Sequence, residues 1–194
     1  MPEEAELGWL GTAAAQRAHL LLWERQDNDL LRIVATASVD AFEGQYFFLP
    51  RSLYAAWAHQ LRRDRPAARA AFDSALFVID TALQAAPDDY RLHAARGLAL
   101  AGLGRRDEAL QEARWIEHSE VYRNDTVWGP IVAEDRARIL SHVGEVDAAL
   151  DEIERLMAGP SISLSVHTLR LDPRWDPIRE HPRFQALLAQ HPNP

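Results

Sequence analysis

Eight histidines and 29 carboxylates could in principle build a metal centre or an acid–base pair, but their spacing speaks against both. No HExxH occurs, and no histidine stands three or four residues from another, so no helix face can present two imidazole ligands. His118 with Glu120 and His142 with Glu145 come nearest to a ligand pair, and both fit solvent-facing helix ends better. Asp88-Asp89, Glu134-Asp135 and Asp151-Glu152 could serve as general acid and base, yet each stands at or near the start of an expected helix, where the positive end of the dipole accounts for it. No GxSxG elbow, Walker-type phosphate loop or GxGxxG after a strand is present, and there are no convincing strands. With no cysteine there is no thiolate nucleophile, disulfide or Cys-based metal site. The expectation is a chain without catalytic residues, metal or cofactor.

Arg62, Arg63, Arg65 and Arg69 form the densest cationic cluster. They could contact an acidic partner or a membrane surface, but a solvated hairpin tip balanced by Asp64 and Asp73 is the favoured account. All 21 basic residues are Arg and they occur on every segment, which looks like a genomic bias. A net charge of -8 opposes nucleic-acid binding, which draws its affinity from clustered cations. Of the six tryptophans, Trp115 and Trp175 are assigned to the core and Trp57 to a groove. The beginning Met-Pro-Glu-Glu is acidic where a secretory signal is basic, and no run of apolar residues is long enough to cross a bilayer. No membrane insertion is expected within this chain, and a cytoplasmic location unless it follows a transmembrane segment in a longer protein.

The elements that position these residues read as helices. Ala and Leu, 32 and 25 copies, outweigh Val, Ile and Thr, 22 together, so helix formers dominate. Leu92, Ala95, Ala99 and Leu103 form one apolar stripe, and Ala109, Leu110, Ala113 and Ile116 a second beyond Gly104. Gly104 suits the left-handed residue that ends a helix, and Asp107 the cap that opens the next. Aligning Gly144 under Gly104 and Ala68 under Ala109 reveals copies at intervals of about 40 residues. Pro66 fits a first helical turn. Helix hairpins are expected at roughly 7–40, with Trp9, Ala13, Leu20 and Trp23 on its first helix, and at 50–87, 89–117 and 130–158. Between the last two, Trp128 tucks into an ordered loop. The prolines after Leu169 forbid a continuous helix until about residue 182, so a cap over 162–190 wraps the last hairpin as turns and ends in one amphipathic helix bearing Phe184, Leu187 and Leu188.

These copies resemble the tetratricopeptide repeat, in the run Gly97-Leu-Ala-Leu-Ala-Gly-Leu-Gly104, in Gly129-Pro130 with Glu134-Asp135, and in the tail from Asp172 to Leu188. The tail looks like the closing segment of a bacterial tetratricopeptide family, whose members often end multidomain signalling proteins with a kinase, cyclase or winged-helix module upstream. The periods exceed that repeat's 34 residues, and Leu100 stands where Tyr is usual. The resemblance implies an all-α, right-handed array of antiparallel hairpins with a C-terminal capping helix.

Such an array leaves a concave surface lined by the first helix of each hairpin. Counting from Ala56, Gly97 and Ala137, the groove positions are Leu53, Trp57 and Gln60; Arg91, Ala94 and Leu98; and Glu134, Arg138 and Ser141, with His142 beside them. Trp57 and Arg138 are the expected anchors, set against Trp57 packing beneath the first hairpin and Arg138 pairing with Glu134 one turn earlier. The expected function is a non-catalytic scaffold that binds a peptide, a partner domain or a second copy of itself. A structural spacer or dimerisation stalk is the alternative.

Overall fold

Four helix-to-helix turns share one backbone device. Arg25, Arg63, Gly104 and Gly144 each take a positive φ, between 55° and 86°. At each, the N–H of this residue donates three residues back and the next N–H five residues back, as in Gly104 N to Ala101 O at 3.0 Å and Arg105 N to Leu100 O at 2.9 Å. This pairing satisfies the last carbonyls of the first helix and reverses the chain. A computed structural model describes residues 4–159 and 163–190, with side chains from residue 13 onward. Trp9 therefore lies outside the described side chains. Helix makes up 75% of the structure.

The hairpins are α1 (Glu4–Trp23) with α2 (Asp27–Thr36), α3 (Arg51–Leu61) with α4 (Arg65–Ala85), α5 (Tyr90–Gly102) with α6 (Arg106–His118), and α8 (Gly129–His142) with α9 (Val146–Ala158). The short α7 (Glu120–Asn124) links the last two, and α10 (Val166–Leu171), a 3-10 turn (Pro173–Ile178) and α11 (Pro182–Gln190) form the tail. Asp64 caps α4 by accepting from Ala67 N at 3.1 Å, with Pro66 in the first turn. The second helix after Gly104 starts at Arg106, so Asp107 sits inside the first turn and does not cap it.

Successive hairpins pack side by side, α2 on α3, α4 on α5 and α5 on α8. Gly97 lies at a close crossing of α5 and α8, where a Cβ would collide with the Ile139 side chain. One apolar core runs through the first three hairpins and reaches α8 and α9 through Val132, Ile139, Leu140 and Ala149. A second core joins the last hairpin to the tail, with Trp175, Phe184, Leu187 and Leu188 buried against Ala133, Ala137, Leu150 and Ile153.

Polar locks repeat along with the apolar stripe. Arg96 on α5 holds Glu112 on α6 at 2.5 Å, and forty positions later Arg136 on α8 holds Glu152 on α9 at 2.6 Å. Both glutamates are buried, so Glu152 belongs to a packed interface and not to a helix start. His93 reinforces the first lock: Nδ1 lies 2.6 Å from Glu112 and Nε2 2.8 Å from the Pro87 carbonyl, with the ring stacked on Trp115 at 3.6 Å. Burial opposes its charge, but these two acceptors outweigh it and raise its pKa.

A two-stranded hairpin also forms, correcting the expectation that strands are absent. β1 (Ala41–Gly44) pairs antiparallel with β2 (Phe47–Pro50) across a turn at Gln45 and Tyr46. Phe42 is fully buried against Tyr54, and Tyr46 stacks on Trp128 at 5.1 Å. The aromatic content between 42 and 48 favours strand over helix.

Arg25 and Arg63 occupy a conformation that costs an L-residue roughly 1–2 kcal/mol. Arg63→Gly is therefore expected to stabilise the fold by about 0.5–1 kcal/mol after the added chain entropy of glycine is counted. A thermal melt should show a rise of about 2–3 °C. A fall would mean that the Arg63 side chain supports the fold in some other way.

Candidate functional site

Helices α3, α5 and α8, the first of each of the last three hairpins, carry the expected groove positions, and the chain's own tail packs against α3 and α8. Asp172, fully buried, receives Arg174 in a two-pronged contact, Nε to Oδ1 at 2.9 Å and Nη2 to Oδ2 at 2.7 Å. Arg138 on α8 reaches the same carboxylate at 3.3 Å, Asp135 at 2.7 Å, and Glu134 one turn back. Ser163 donates to the other oxygen of Glu134 at 2.5 Å. The guanidinium of Arg138 lies 5.3 Å over the Trp175 ring, and that of Arg174 lies 5.0 Å over Trp57. Two arginines thus sit among three carboxylates, each cation resting on an indole face.

Burial alone would raise the Asp172 carboxyl, but Arg174 and Arg138 beside it hold it well below the usual carboxylate range. For Glu134 burial wins and pushes the carboxyl up, with Arg138 and Ser163 opposing. Burial drives the His142 imidazole down, and its Nε2 donates to the Arg174 carbonyl at 3.0 Å. On the far side of Trp57, Tyr54 packs edge-on at 5.3 Å and its hydroxyl lies 2.8 Å from His19 Nδ1 on α1. His19 is pushed down to about 3, first by burial and then by Arg174. The same Nδ1 lies 3.2 Å from the Ala15 carbonyl, so the neutral ring is held between the Tyr54 hydroxyl and a backbone acceptor on its own helix.

Where α3, α5 and α8 end, a cavity of about 860 Å³ opens. Its wall includes Trp57, Gln60 and Leu61 from α3, Arg65, Ala68 and Arg69 from α4, Gly102 and His142 at the ends of α5 and α8, and Arg174 and Pro177 from the tail. Arg25 and Arg63, the two strained turn residues, also line it. Arg25 is held by Asp176 of the tail at 2.7 Å. Arg62 points away and pairs with Asp27. Among the described residues Arg63, Arg65 and Arg69 form no ion pair, and neither Asp64 nor Asp73 neutralises them, contrary to the balance expected from sequence.

The structure brings Trp57, Gln60 and His142 together at this cavity. Gln60 is exposed, while Trp57 keeps 4% of its surface, closed over by Arg174 and packed beside Tyr54. Glu134, Arg138 and Ser141 are buried; Arg138 does pair with Glu134, and Ser141 Oγ donates to the Arg138 carbonyl at 2.8 Å. Leu98 is buried in the core between hairpins. Arg91 lies apart, binding Asp89 at 2.6 Å and the Gly44 carbonyl at the β-turn at 2.7 Å. Trp175 is fully buried, whereas Trp115 lies partly exposed at the edge of the core.

Sequence reasoning missed Asp172, Arg174, Arg25, His19 and Tyr54. The Asp-Pro-Arg-Trp run was a visible signal, because Asp before Pro caps a turn and its carboxylate can reach the residue two positions on; here it accepts from Arg174 N at 2.9 Å. Compared with protein-family descriptions, curated proteins and solved structures, the chain matches none of them. No helix among the described residues is long and apolar enough to cross a membrane.

Proposed function

We propose that this chain is a non-catalytic interaction module of tetratricopeptide-like hairpins, which docks a protein or peptide partner at the cavity beside Trp57. The observation that carries this is the cavity itself. It is open, falls in the 300–1,000 Å³ range of binding sites, and gathers exposed Gln60 with Trp57, His142 and arginines from four separate segments. Four left-handed turns and two Arg–Glu locks at near-equal intervals support the repeat reading. The resemblance of the tail supports placing the module at the end of a longer signalling protein. The ion cluster supports a structural role in preference to chemistry, since its carboxylates are held by arginines and two of the three, Glu134 and Asp172, are buried.

One observation favours a second reading, a spacer or dimerisation stalk: the tail already fills the centre of the inner face through Arg174 and Trp175. A photo-crosslinking residue at Gln60, compared with one at Phe77, separates the two. Phe77 is 75% exposed on α4 and does not line the cavity. A discrete adduct from position 60 and none from 77, in cells of the source organism, is the expected result. Adducts of a second copy would identify self-association, and no adduct, or the same set from both positions, would leave the spacer.

A further inference from the structure

We propose that the cavity beside Trp57 takes an acidic peptide segment, whose carboxylates pair with Arg63, Arg65 and Arg69 while an apolar side chain packs between Leu61 and Leu103. This rests on the docking face argued above and names its ligand class.

Three features lead there. The chain carries a net charge of -8, yet three arginines without ion pairs fall within seven positions and line one cavity. Most arginines elsewhere are tied to carboxylates, as Arg96 is to Asp80 and Glu112, Arg136 to Glu117 and Glu152, and Arg183 to Asp151 and Glu154, and among the described residues no other stretch of seven positions gathers three without an ion pair at one cavity. An unneutralised cluster repels itself and waits for an anion. Second, the later hairpins place glycine at the left-handed turn position, whereas Arg63 bears the strain of a φ of 58° with its side chain at the cavity. A residue kept in a costly conformation points to a use for its side chain.

Third, the surroundings select among anions. The C-terminal ends of α3, α5 and α8 meet the cavity at Leu61, Gly102 and His142, and their partial negative charge disfavours a compact dianion held deep inside. Carboxylates spaced along an extended segment instead meet the arginine forks at the mouth, whose planar geometry matches them. Leu61, Ala68, Leu103 and Pro177 add an apolar wall that a bare phosphate could not use.

The test uses the full chain and a short fluorescein-labelled peptide alternating Glu and Leu, followed by fluorescence anisotropy. The wild type is expected to bind it, progressively less as salt rises, and to ignore the same peptide with Lys in place of Glu. Replacing Arg63 and Arg69 together by alanine should weaken binding about tenfold or more with little change in melting temperature, because both are exposed. No binding by the wild type, or binding indifferent to the double substitution, would overturn the proposal. So would inorganic pyrophosphate binding more tightly than the peptide and displacing it, which would assign the cavity to a small anion. If the Gln60 crosslinker captures a partner and the acidic peptide still fails to bind, the docking face stands and the ligand class falls.

Discussion

Replacing Asp172 with alanine is expected to lower the melting temperature by roughly 10 °C, the largest drop of any single polar substitution in this chain. The carboxylate is fully buried and serves Arg174 through two side-chain contacts and Arg138 through a third. Removing one partner of a buried ionic group leaves the others charged and unpaired, at a cost of about 3–5 kcal/mol. In a protein of this size each kcal/mol moves the midpoint by about 2–4 °C. Arg174 would lose the contacts that hold it over Trp57, loosening the tail from the inner face. Asp172→Asn should lie between, since it keeps the turn-capping oxygen but not the charge. Circular dichroism melts of the three proteins decide the matter, and a shift below about 2 °C for the alanine variant would mean that the cluster contributes little to the fold.

Acid is expected to destabilise the protein well before ordinary carboxylates titrate. In the unfolded chain His19 takes a proton near pH 6.5, while in the folded protein it resists protonation down to about 3. Between those values the unfolded state binds more protons, so stability is complete above pH 6.5 and falls as the pH drops through the window. Full burial would make that loss roughly 4–5 kcal/mol. His19 keeps part of its surface in solvent, which reduces the expected loss to about 2–3 kcal/mol. His142, also depressed, adds in the same direction. His93 acts oppositely: its raised pKa gives stability that is full below pH 6.5 and is lost as the pH rises through the folded value. Asp172 extends the acid loss below pH 4, where its unfolded counterpart protonates first. A variant carrying both His19→Phe and Tyr54→Phe removes the ring without orphaning the Tyr54 hydroxyl. Its denaturation midpoint should change less between pH 6.5 and 4.5 than that of the wild type, and an unchanged slope would exclude His19 as the cause.

The helices were legible because their apolar residues recur at three and four, and the turns at Gly104 and Gly144 because glycine marks a left-handed residue. Arg25 and Arg63 use the same conformation without that mark, so two of four equivalent turns were hidden. The locks Arg96–Glu112 and Arg136–Glu152 stand at the same forty-residue offset as the glycines, but charged residues on a helix read as surface until a partner helix is known to cover them. The prolines and the apolar stripe of the tail made its turns and closing helix legible, but its reach to the first hairpin was not. Its place depends on contacts such as Arg25 with Asp176, separated by 151 positions, and no local pattern encodes which distant carboxylate an arginine will choose. Trp57, Gln60 and His142 were found because hairpin alignment locates the inner faces. It could not show that the same faces would be covered by Arg174 and Trp175, nor that Arg91 would turn to the β-turn.

The Arg25–Asp176 contact changes how such an array should behave as a whole. A stack of hairpins with free ends works like a row of dominoes: stability is a sum of neighbour terms, units can be added or removed, and the ends fray first. Here the turn of the first hairpin is clasped to the tail that follows the last one. The pair itself is half-exposed and worth ~1 kcal/mol or less, but it lies beside the Arg174 stack on Trp57, so opening the clasp would unseat both. The chain should therefore unfold in one cooperative step, resist stretching like a closed loop, and tolerate neither a deleted nor an inserted hairpin, because either change would move Asp176 out of reach of Arg25.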